Sequence, residues 1–397
     1  MLRYIYVLFS IGVLVCSQKV YEIIMYRNTF LIYTGNPRQE LHATFSMELS
    51  NTIFLDNTCG VKPTNCGRYC NDVSFATIYC ESICQFQYVA MNTMCDIVDH
   101  SDHDLYFLSY SKTFKLLNKN VWNSETWFTN LLSGQFFTDK LVFIDDSYDP
   151  RLELEIKSAV MIRGMMLDVS LYGTNGVMVG FGPGENNILV QLYAQNLIPS
   201  PIIMFNLNPM FEGLLKIGDY NDESCVNWTK HATQDQNRWV LEVQGLELNG
   251  VKYDRKLKAL ITNHVQFISL PSDFLNTLFE ANVLKEFNKF ERMIYHVDSY
   301  FDCRRPLKLQ MTADDRELTI PNDVLLYDDP HPGNLCIAQF KRHDPVRYNF
   351  EVNMLLGRPF LKQFCIGFDY SNDMAIRLAE HSNDELSKPT KRSKTAR

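Results

Sequence analysis

The sequence has no excess of basic residues: its 397 residues include 38 Lys and Arg against 46 Asp and Glu, for a formal net charge of −8. A surface that binds nucleic acid needs basic side chains to neutralise phosphates, so we expect no nucleic-acid partner. No His-Glu-x-x-His or similar metal motif occurs. Gly180, Gly182 and Gly184 lack the Gly-Lys-Ser/Thr that completes a phosphate loop. We therefore expect no metal and no cofactor.

Long apolar runs are scarce, and the longest lies at the start of the chain. Within residues 1–17, Arg3 precedes the apolar run Tyr4–Val15, and small residues follow at Cys16 and Ser17. This order predicts a secretory signal peptide. A membrane anchor is the alternative, but it would need an apolar run of about 20 residues. We expect a chain without a membrane span, secreted or held in the lumen of the secretory pathway.

Cysteines are plentiful, and ten remain after the predicted signal peptide. Six of them fall within residues 59–95: Cys59, Cys66, Cys70, Cys80, Cys84 and Cys95. In a secreted chain an even number predicts disulfides, whereas zinc is the alternative that the two Cys-x3-Cys spacings leave open. Six cysteines permit fifteen pairings. The sequence chooses none of these pairings, and it does not fix the state of Cys225 or Cys365.

Two stretches share one pattern, an apolar run that enters a polar loop and leaves as a second apolar run: Leu41–Leu55 and Leu257–Pro271. Each predicts a strand, a tight loop and a strand. The first stretch follows the run Phe30–Tyr33 and the turn Gly35–Gln39. Further along, apolar spacing predicts a helix over Asn186–Ile198, and another begins at Pro271. Asn249-Gly250 predicts a hairpin between Trp239–Val243 and Leu246–Val251.

These motifs resemble those of the pepsin-like aspartic peptidases, in which a G-x-P-x-Q hairpin leads into F-D-T-G-S-S-N and a second D-T/S-G loop follows. The stretch Leu355–Leu361 with Phe368-Asp369 resembles the family's I-L-G-x-x-F-L and F-D, and Gly180-Phe181-Gly182 matches its G-L-G. The resemblance covers roughly residues 28–375, and residues 60–135 match poorly.

The resemblance implies a mostly β, bilobal protein, in which two β-barrel-like lobes with a few short helices flank a cleft. The expected organisation is a signal peptide (1–17), an N-terminal lobe (18–200) carrying the Cys-rich insert (59–95), a C-terminal lobe (201–380) and a basic disordered tail (381–397). We expect a monomer. Residues 118–132 have no counterpart in the family and are interpreted as a surface insertion.

The resemblance places Ser46 and Thr262 at the family's two catalytic Asp positions, and Glu48 and His264 at the glycines that follow. No D-T-G or D-S-G occurs in the chain. A hydroxyl cannot act as a base without a neighbour to take its proton, so the resemblance implies that no competent catalytic pair is present. Glu48 and His264 could instead form a replacement acid and base pair across the cleft, or they could be structural or exposed residues.

Three further sites follow from the same comparison and from one motif. Tyr110 falls on the tyrosine of the family's flap, although an ordinary half-buried strand tyrosine is the alternative. Cys303 and Cys336 fall where the family commonly carries a disulfide. Asn227-Trp228-Thr229 is an N-glycosylation sequon.

Two classes of function therefore remain open. The first is a secreted, catalytically inactive homologue that binds a peptide or protein in the cleft between the lobes. The second is an aspartic-type endopeptidase that works through a non-standard active site. The missing D-T-G triplets favour the first.

Overall fold

The computed structural model describes residues 19–26, 29–55, 107, 110–126, 129–144, 152–162, 177–208, 212–291, 294–326, 335–343, 351–371 and 373–382. The predicted signal peptide, the Cys-rich insert at 59–95 and the tail beyond residue 382 lie outside these residues.

Seven strands of the first half form one sheet in the order β2-β3-β8-β4-β7-β6-β5. Their bounds, numbered along the chain after β1 (Tyr21–Met25), are β2 (Phe30–Thr34), β3 (Gln39–Ser46), β4 (Thr52–Leu55), β5 (Lys115–Thr126), β6 (Thr129–Phe143), β7 (Leu152–Ile162) and β8 (Val177–Gly180). Of the residues interpreted as a surface insertion, 118–126 lie on β5 and 129–132 lie on β6, two strands that pair in this sheet.

The described residues of the second half contain seventeen strands, which form the further sheets. They are β9 (Ile202–Leu207), β10 (Gly213–Ile217), β11 (Cys225–Ala232), β12 (Val240–Val243), β13 (Gly245–Leu248), β14 (Val251–Tyr253), β15 (Leu257–Ile261), β16 (Ile268–Leu270), β17 (Lys285–Glu291), β18 (Ile294–Asp302), β19 (Leu309–Ala313), β20 (Arg316–Ile320), β21 (Leu335–Ala338), β22 (Phe340–Arg342), β23 (Met354–Leu356), β24 (Phe364–Asp369) and β25 (Ala375–His381). A five-stranded sheet has the order β12-β15-β23-β16-β22, a four-stranded sheet β14-β13-β19-β20 and a three-stranded sheet β17-β18-β21.

The described helices are short: α1 (Ile188–Ala194), α2 (Ser272–Glu280), α3 (Asn322–Leu325) and α4 (Arg358–Gln363). Both helices predicted from apolar spacing are present. Helix α1 begins after Asn187, whose side chain accepts a hydrogen bond from the Leu189 N–H and so satisfies an otherwise unpaired donor of the first turn. Helix α2 buries Phe274, Leu275 and Leu278 on one face.

The two halves repeat one strand unit. In the first half β8 pairs in parallel with β3 and antiparallel with β4. In the second half β23 pairs in parallel with β15 and antiparallel with β16. The loops that follow β3 and β15 are therefore equivalent positions of one repeated design, as the paired apolar runs predict.

A six-stranded sheet, in the order β1-β10-β9-β24-β25-β11, joins the two halves. Its first strand comes from the N-terminus and pairs antiparallel with β10. A disulfide between Cys225 on β11 and Cys365 on β24 spans the intervening strand β25. The N-terminal strand thus belongs to a sheet built mainly by the second half.

Alternating apolar residues build the core beneath these sheets. Strand β3 buries Leu41, Ala43 and Phe45 on one face, the period of two expected of a strand with one face inward. Phe45 packs on Phe205 of β9 with ring centroids 4.9 Å apart, so the central strand of the first half contacts the joining sheet. The core is continuous across the two halves.

The mostly β architecture with few short helices confirms the predicted fold class. The predicted hairpin between Trp239–Val243 and Leu246–Val251 was wrong. The Asn249-Gly250 turn joins β13 to β14, whereas Trp239–Val243 contains β12, which pairs with β15. The local pattern identified the turn correctly. Strand β12 is not part of that hairpin, because it pairs with the distant strand β15.

Among the described residues, no helix is both long and apolar enough to cross a membrane.

Candidate functional site

Ser46 ends strand β3 and is fully buried. Its Oγ accepts hydrogen bonds from the backbone N–H groups of Glu48 (3.2 Å) and Leu49 (3.1 Å), which turn back toward it. This pattern closes the loop after β3 around a single hydroxyl. A serine hydroxyl has two acceptor lone pairs and one proton to donate, so these two N–H groups occupy its acceptor capacity.

The proton of that hydroxyl points across the interface between the two halves. Ser46 Oγ lies 2.8 Å from Nε2 of His264, which follows β15. Because the two backbone N–H groups occupy the lone pairs of the oxygen, the hydroxyl proton remains for the ring, and Ser46 donates to Nε2. Glu48 and His264, predicted as a replacement acid and base pair, both bind this hydroxyl, but Glu48 does so through its backbone N–H and not through its carboxyl group.

Thr262 repeats the arrangement of Ser46 in the second loop. It follows the last residue of β15, is fully buried, and its Oγ1 accepts the backbone N–H of His264 at 3.1 Å. In both loops the hydroxyl residue therefore binds the N–H two positions further on. The Thr262 N–H donates to the carbonyl of Leu356 on the partner strand β23.

Asn263 joins the two loops, a role that the sequence did not predict. Its Oδ1 accepts the Met47 N–H at 3.0 Å, and its Nδ2 donates to the Phe45 carbonyl at 2.6 Å. The side chain is 8% exposed. The available signal was an amide in the second loop, but its partners lie more than 200 residues away along the chain.

Glycine turns support both loops from below. The Gly182 N–H donates to the Leu49 carbonyl at 2.7 Å, and the Arg358 N–H makes the equivalent bond to the Val265 carbonyl at 3.0 Å. A Cβ on Gly182 would lie 2.2 Å from the Glu48 carbonyl oxygen, so no side chain fits there. The motifs Gly180–Gly182 and Leu355–Leu361 thus hold the site loops by close backbone approach.

The Phe181 carbonyl accepts hydrogen bonds from two side chains of the second half. It accepts the Trp239 indole N–H at 3.0 Å and the hydroxyl of Tyr370. Burial raises the pKa of the Tyr370 hydroxyl far above its usual range, so it remains a donor. Trp239 also stacks on Phe368 with centroids 4.4 Å apart. These contacts fix the turn beneath Ser46 against the opposite half.

Tyr110, predicted at the flap position, lies outside any strand and is 60% exposed. Its ring stacks on Phe107 with centroids 5.3 Å apart. Phe107 is fixed in turn by two backbone hydrogen bonds to the side chain of Gln39, at 2.8 and 2.9 Å. The half-buried strand alternative does not describe this residue, because the ring projects from a turn tied to the start of β3.

The remaining predicted residues lie away from the two loops. Cys303 and Cys336 form the disulfide that the resemblance implied, between the end of β18 and β21. Asn227 is exposed on β11. Within the described ranges, no group of three His, Cys, Asp or Glu side chains could hold a metal ion.

The side chains of the two loops are largely uncharged. Residues 46–51 and 262–267 supply two buried hydroxyls, the two buried amides of Asn51 and Asn263, and an imidazole, and Glu48 is their single carboxyl group. The arrangement can join the two halves and present polar groups near their interface. It does not offer two carboxyl groups that could share a proton.

Comparison with known proteins supports the same family. The family model described as eukaryotic aspartyl protease matches residues 87–381, well over half of the chain. Mucorpepsin of Rhizomucor miehei is 21% identical over 293 residues, which cover 67% of this chain and 66% of mucorpepsin. The chain thus spans about two thirds of the length of that relative. With the repeated strand unit and the family match together, the chain belongs to the eukaryotic aspartyl protease family.

Proposed function

We propose that this chain is a secreted pepsin-like homologue that does not cleave peptides and that binds a peptide or protein ligand in the interlobe cleft. The observation that carries the proposal is the state of Ser46: a fully buried hydroxyl whose acceptor lone pairs are both occupied by backbone N–H groups. With no exposed surface, this hydroxyl is out of reach of a water molecule or a substrate carbonyl, and it cannot share a proton as a pair of carboxyl groups does.

In the family, two carboxyl groups in contact share one proton, because both cannot ionise together, and the pair activates a water. We place Ser46 and Thr262 at those two positions. The repeated strand unit and the repeated hydrogen bond to the N–H two residues on support this placement. The family match begins at residue 87, so the equivalence of Ser46 rests on this structural repeat.

The alternative, an endopeptidase with a non-standard site, is favoured by one distance. Ser46 Oγ and His264 Nε2 are 2.8 Å apart, the spacing of a nucleophile and its general base. One observation weighs against it. Ser46 has no exposed surface, so a substrate carbonyl does not reach its oxygen in this arrangement.

The proposed ligand class follows from the features that the site shares with the pepsin-like fold. The two loops are still joined across the halves, and the pepsin-like fold has a cleft between its lobes, so the scaffold for an extended peptide is retained without the charged pair. The net charge of −8 argues against nucleic acid. The predicted signal peptide and the disulfides Cys225–Cys365 and Cys303–Cys336 support secretion or a secretory lumen. We expect a monomer.

Catalysis is tested with the purified secreted protein on denatured protein substrates from acid to neutral pH. We expect no cleavage by the wild type or by Ser46→Ala. Reproducible cleavage that disappears in Ser46→Ala, His264→Ala or Glu48→Ala would establish the non-standard site. Cleavage that persists equally in all three variants would show that none of these three side chains carries it.

Ligand binding is tested by pull-down from the native secretory fluid. We place the second loop at the cleft because of its resemblance to the family's second catalytic loop. Gln266 is exposed in that loop, and Gln266→Trp should obstruct the cleft and abolish capture of a specific partner. Lys252 is the exposed residue of β14, so Lys252→Trp is the matched control and should leave capture unchanged. Equal capture by both variants would place the binding surface elsewhere.

A further inference from the structure

The predicted sequon lies on the last strand of the six-stranded sheet. Strand β11 pairs with β25, and within the described residues it has no neighbour on its other side. Its ladder shifts register between Val226 and Thr229, and Asn227 in that break has φ of 59°. Asparagine tolerates this left-handed conformation better than most residues, and Asn227 is exposed.

The hydroxyl of the sequon is fully engaged in the folded protein. Thr229 Oγ1 lies 2.9 Å from His231 Nε2, donates toward the Leu378 carbonyl at 3.2 Å and accepts from Arg316 Nη1 at 3.1 Å. His231 is itself buried, and its Nδ1 lies 2.7 Å from Asp314 Oδ2. The hydroxyl therefore belongs to a network that ties β11 to two neighbouring elements.

The backbone of the sequon is held as well. Arg316 Nη1 donates to the Asn227 carbonyl at 2.6 Å, while Nη2 donates to Glu380 at 3.0 Å. Cys225, two residues before Asn227, is joined to Cys365 by a disulfide. A transferase that needs both the asparagine amide and the threonine hydroxyl in a flexible segment cannot bind this sequon once the sheet has formed.

We propose that Asn227 carries an N-linked oligosaccharide, and that the transfer takes place before β11 joins the sheet. This inference rests on the secretory location in the proposed function. The donor is an oligosaccharide linked to a lipid pyrophosphate. The bond from Asn227 Nδ2 to the first sugar carbon forms, the bond from that carbon to the pyrophosphate oxygen breaks, and Nδ2 loses one proton. The Thr229 hydroxyl assists the transfer while the segment is unfolded. After folding, the same hydroxyl forms hydrogen bonds with His231 and Arg316.

The folded geometry accommodates the product. Asn227 is exposed on the outer strand of the sheet, so a glycan there extends into solvent and displaces no core residue. An exposed strand edge is a template for pairing with other chains, and natural proteins cover or interrupt such edges. The register break and the glycan together make this edge unavailable.

The experiment expresses the full chain in eukaryotic secretory cells and follows mobility before and after treatment with an N-glycosidase. The wild type should shift on treatment, and Asn227→Gly should not, because glycine keeps the left-handed backbone but removes the amide. Thr229→Ser is the matched control; it keeps a hydroxyl and should keep the shift, whereas Thr229→Val should lose it.

The outcomes separate this inference from the proposed location. Wild-type protein in the medium without a glycan overturns the inference and leaves secretion standing. A chain that never enters the lumen overturns both. For the timing, a pulse-chase on non-reducing gels should show the glycan on chains that have not yet formed Cys225–Cys365. Chains that gain the glycan only after this disulfide has formed would overturn the proposed order.

Discussion

Asn263 binds Met47 across the interface between the two halves of the chain: its Oδ1 accepts the Met47 N–H at 3.0 Å. The same amide donates to the Phe45 carbonyl, so one side chain satisfies a backbone donor and a backbone acceptor on either side of Ser46. Because both partners are backbone groups, the bridge does not depend on the side chains of the first loop. It keeps the two loops in register whether or not the site is catalytic.

Replacing Asn263 should therefore destabilise the protein. Asn263→Ala leaves the Met47 N–H and the Phe45 carbonyl buried without this partner, at a cost of about 1–3 kcal/mol for each unsatisfied group. Asn263→Thr keeps one acceptor and one donor and should lose less. Urea denaturation measures both. Equal stability of the alanine variant and the wild type would show that the bridge contributes nothing.

Gly182→Ala tests the backbone approach beneath the first loop. Its Cβ would lie 2.2 Å from the Glu48 carbonyl oxygen, so the turn and the loop must move apart at a cost of roughly 1–3 kcal/mol or more. Gly245→Ala is the matched control, because its nearest contact would be an ordinary 3.4 Å. Thermal unfolding should show a large decrease for the first variant and little change for the second. Similar melting temperatures for both would contradict the close contact.

The sequence predicted those features that are local or repeated. The apolar runs on either side of Ser46 and Thr262 identified two equivalent strand units, and Asn249-Gly250 identified its turn. Contacts that join distant residues were not predictable in the same way. Nothing in a local pattern relates Asn263 to Phe45 or Ser46 to His264, because the two residues of each pair are 218 positions apart in the chain.

Asp369 should make stability depend on acid pH. Burial alone would raise the pKa of its carboxyl, but hydrogen bonds from Ser371 and the 2.9 Å bond from Arg377 outweigh this effect and lower it. A lowered pKa stabilises the fold at pH values above the ordinary 3.8, and the stabilisation is lost as the pH falls through the folded-state value.

Asp369→Asn should accordingly lower the free energy of unfolding by about 1–3 kcal/mol at pH 7, and the difference should shrink below pH 3.8. Ser371→Ala removes one of the partners that lower the pKa, so its effect should be smaller and have the same sign. Denaturant titrations at pH 7 and pH 3 measure the differences. A gap between wild type and Asp369→Asn that stays constant with pH would argue against an ionised, hydrogen-bonded Asp369.

Rebuilding the family's chemistry should require more than restoring two carboxyl groups. Pepstatin-type inhibitors place a hydroxyl between two carboxyl groups, and each hydrogen bond to a charged group contributes roughly 1.5–3 kcal/mol. We expect the wild type to bind such an inhibitor weakly. Ser46→Asp with Thr262→Asp should not restore binding or cleavage. A carboxylate at position 46 would face the His264 imidazole, now 2.8 Å from the Ser46 hydroxyl, and would pair with it instead of sharing a proton with position 262.

The informative comparison is therefore between that double variant and a chain with Asp-Thr-Gly rebuilt at 46–48 and 262–264. The rebuilt chain removes the imidazole and restores glycine at both third positions, so its two carboxyl groups can approach each other. Inhibitor affinity by calorimetry and cleavage of a denatured substrate are the two measurements. If the double variant alone gained tight binding and turnover, His264 would not be what keeps the site from sharing a proton.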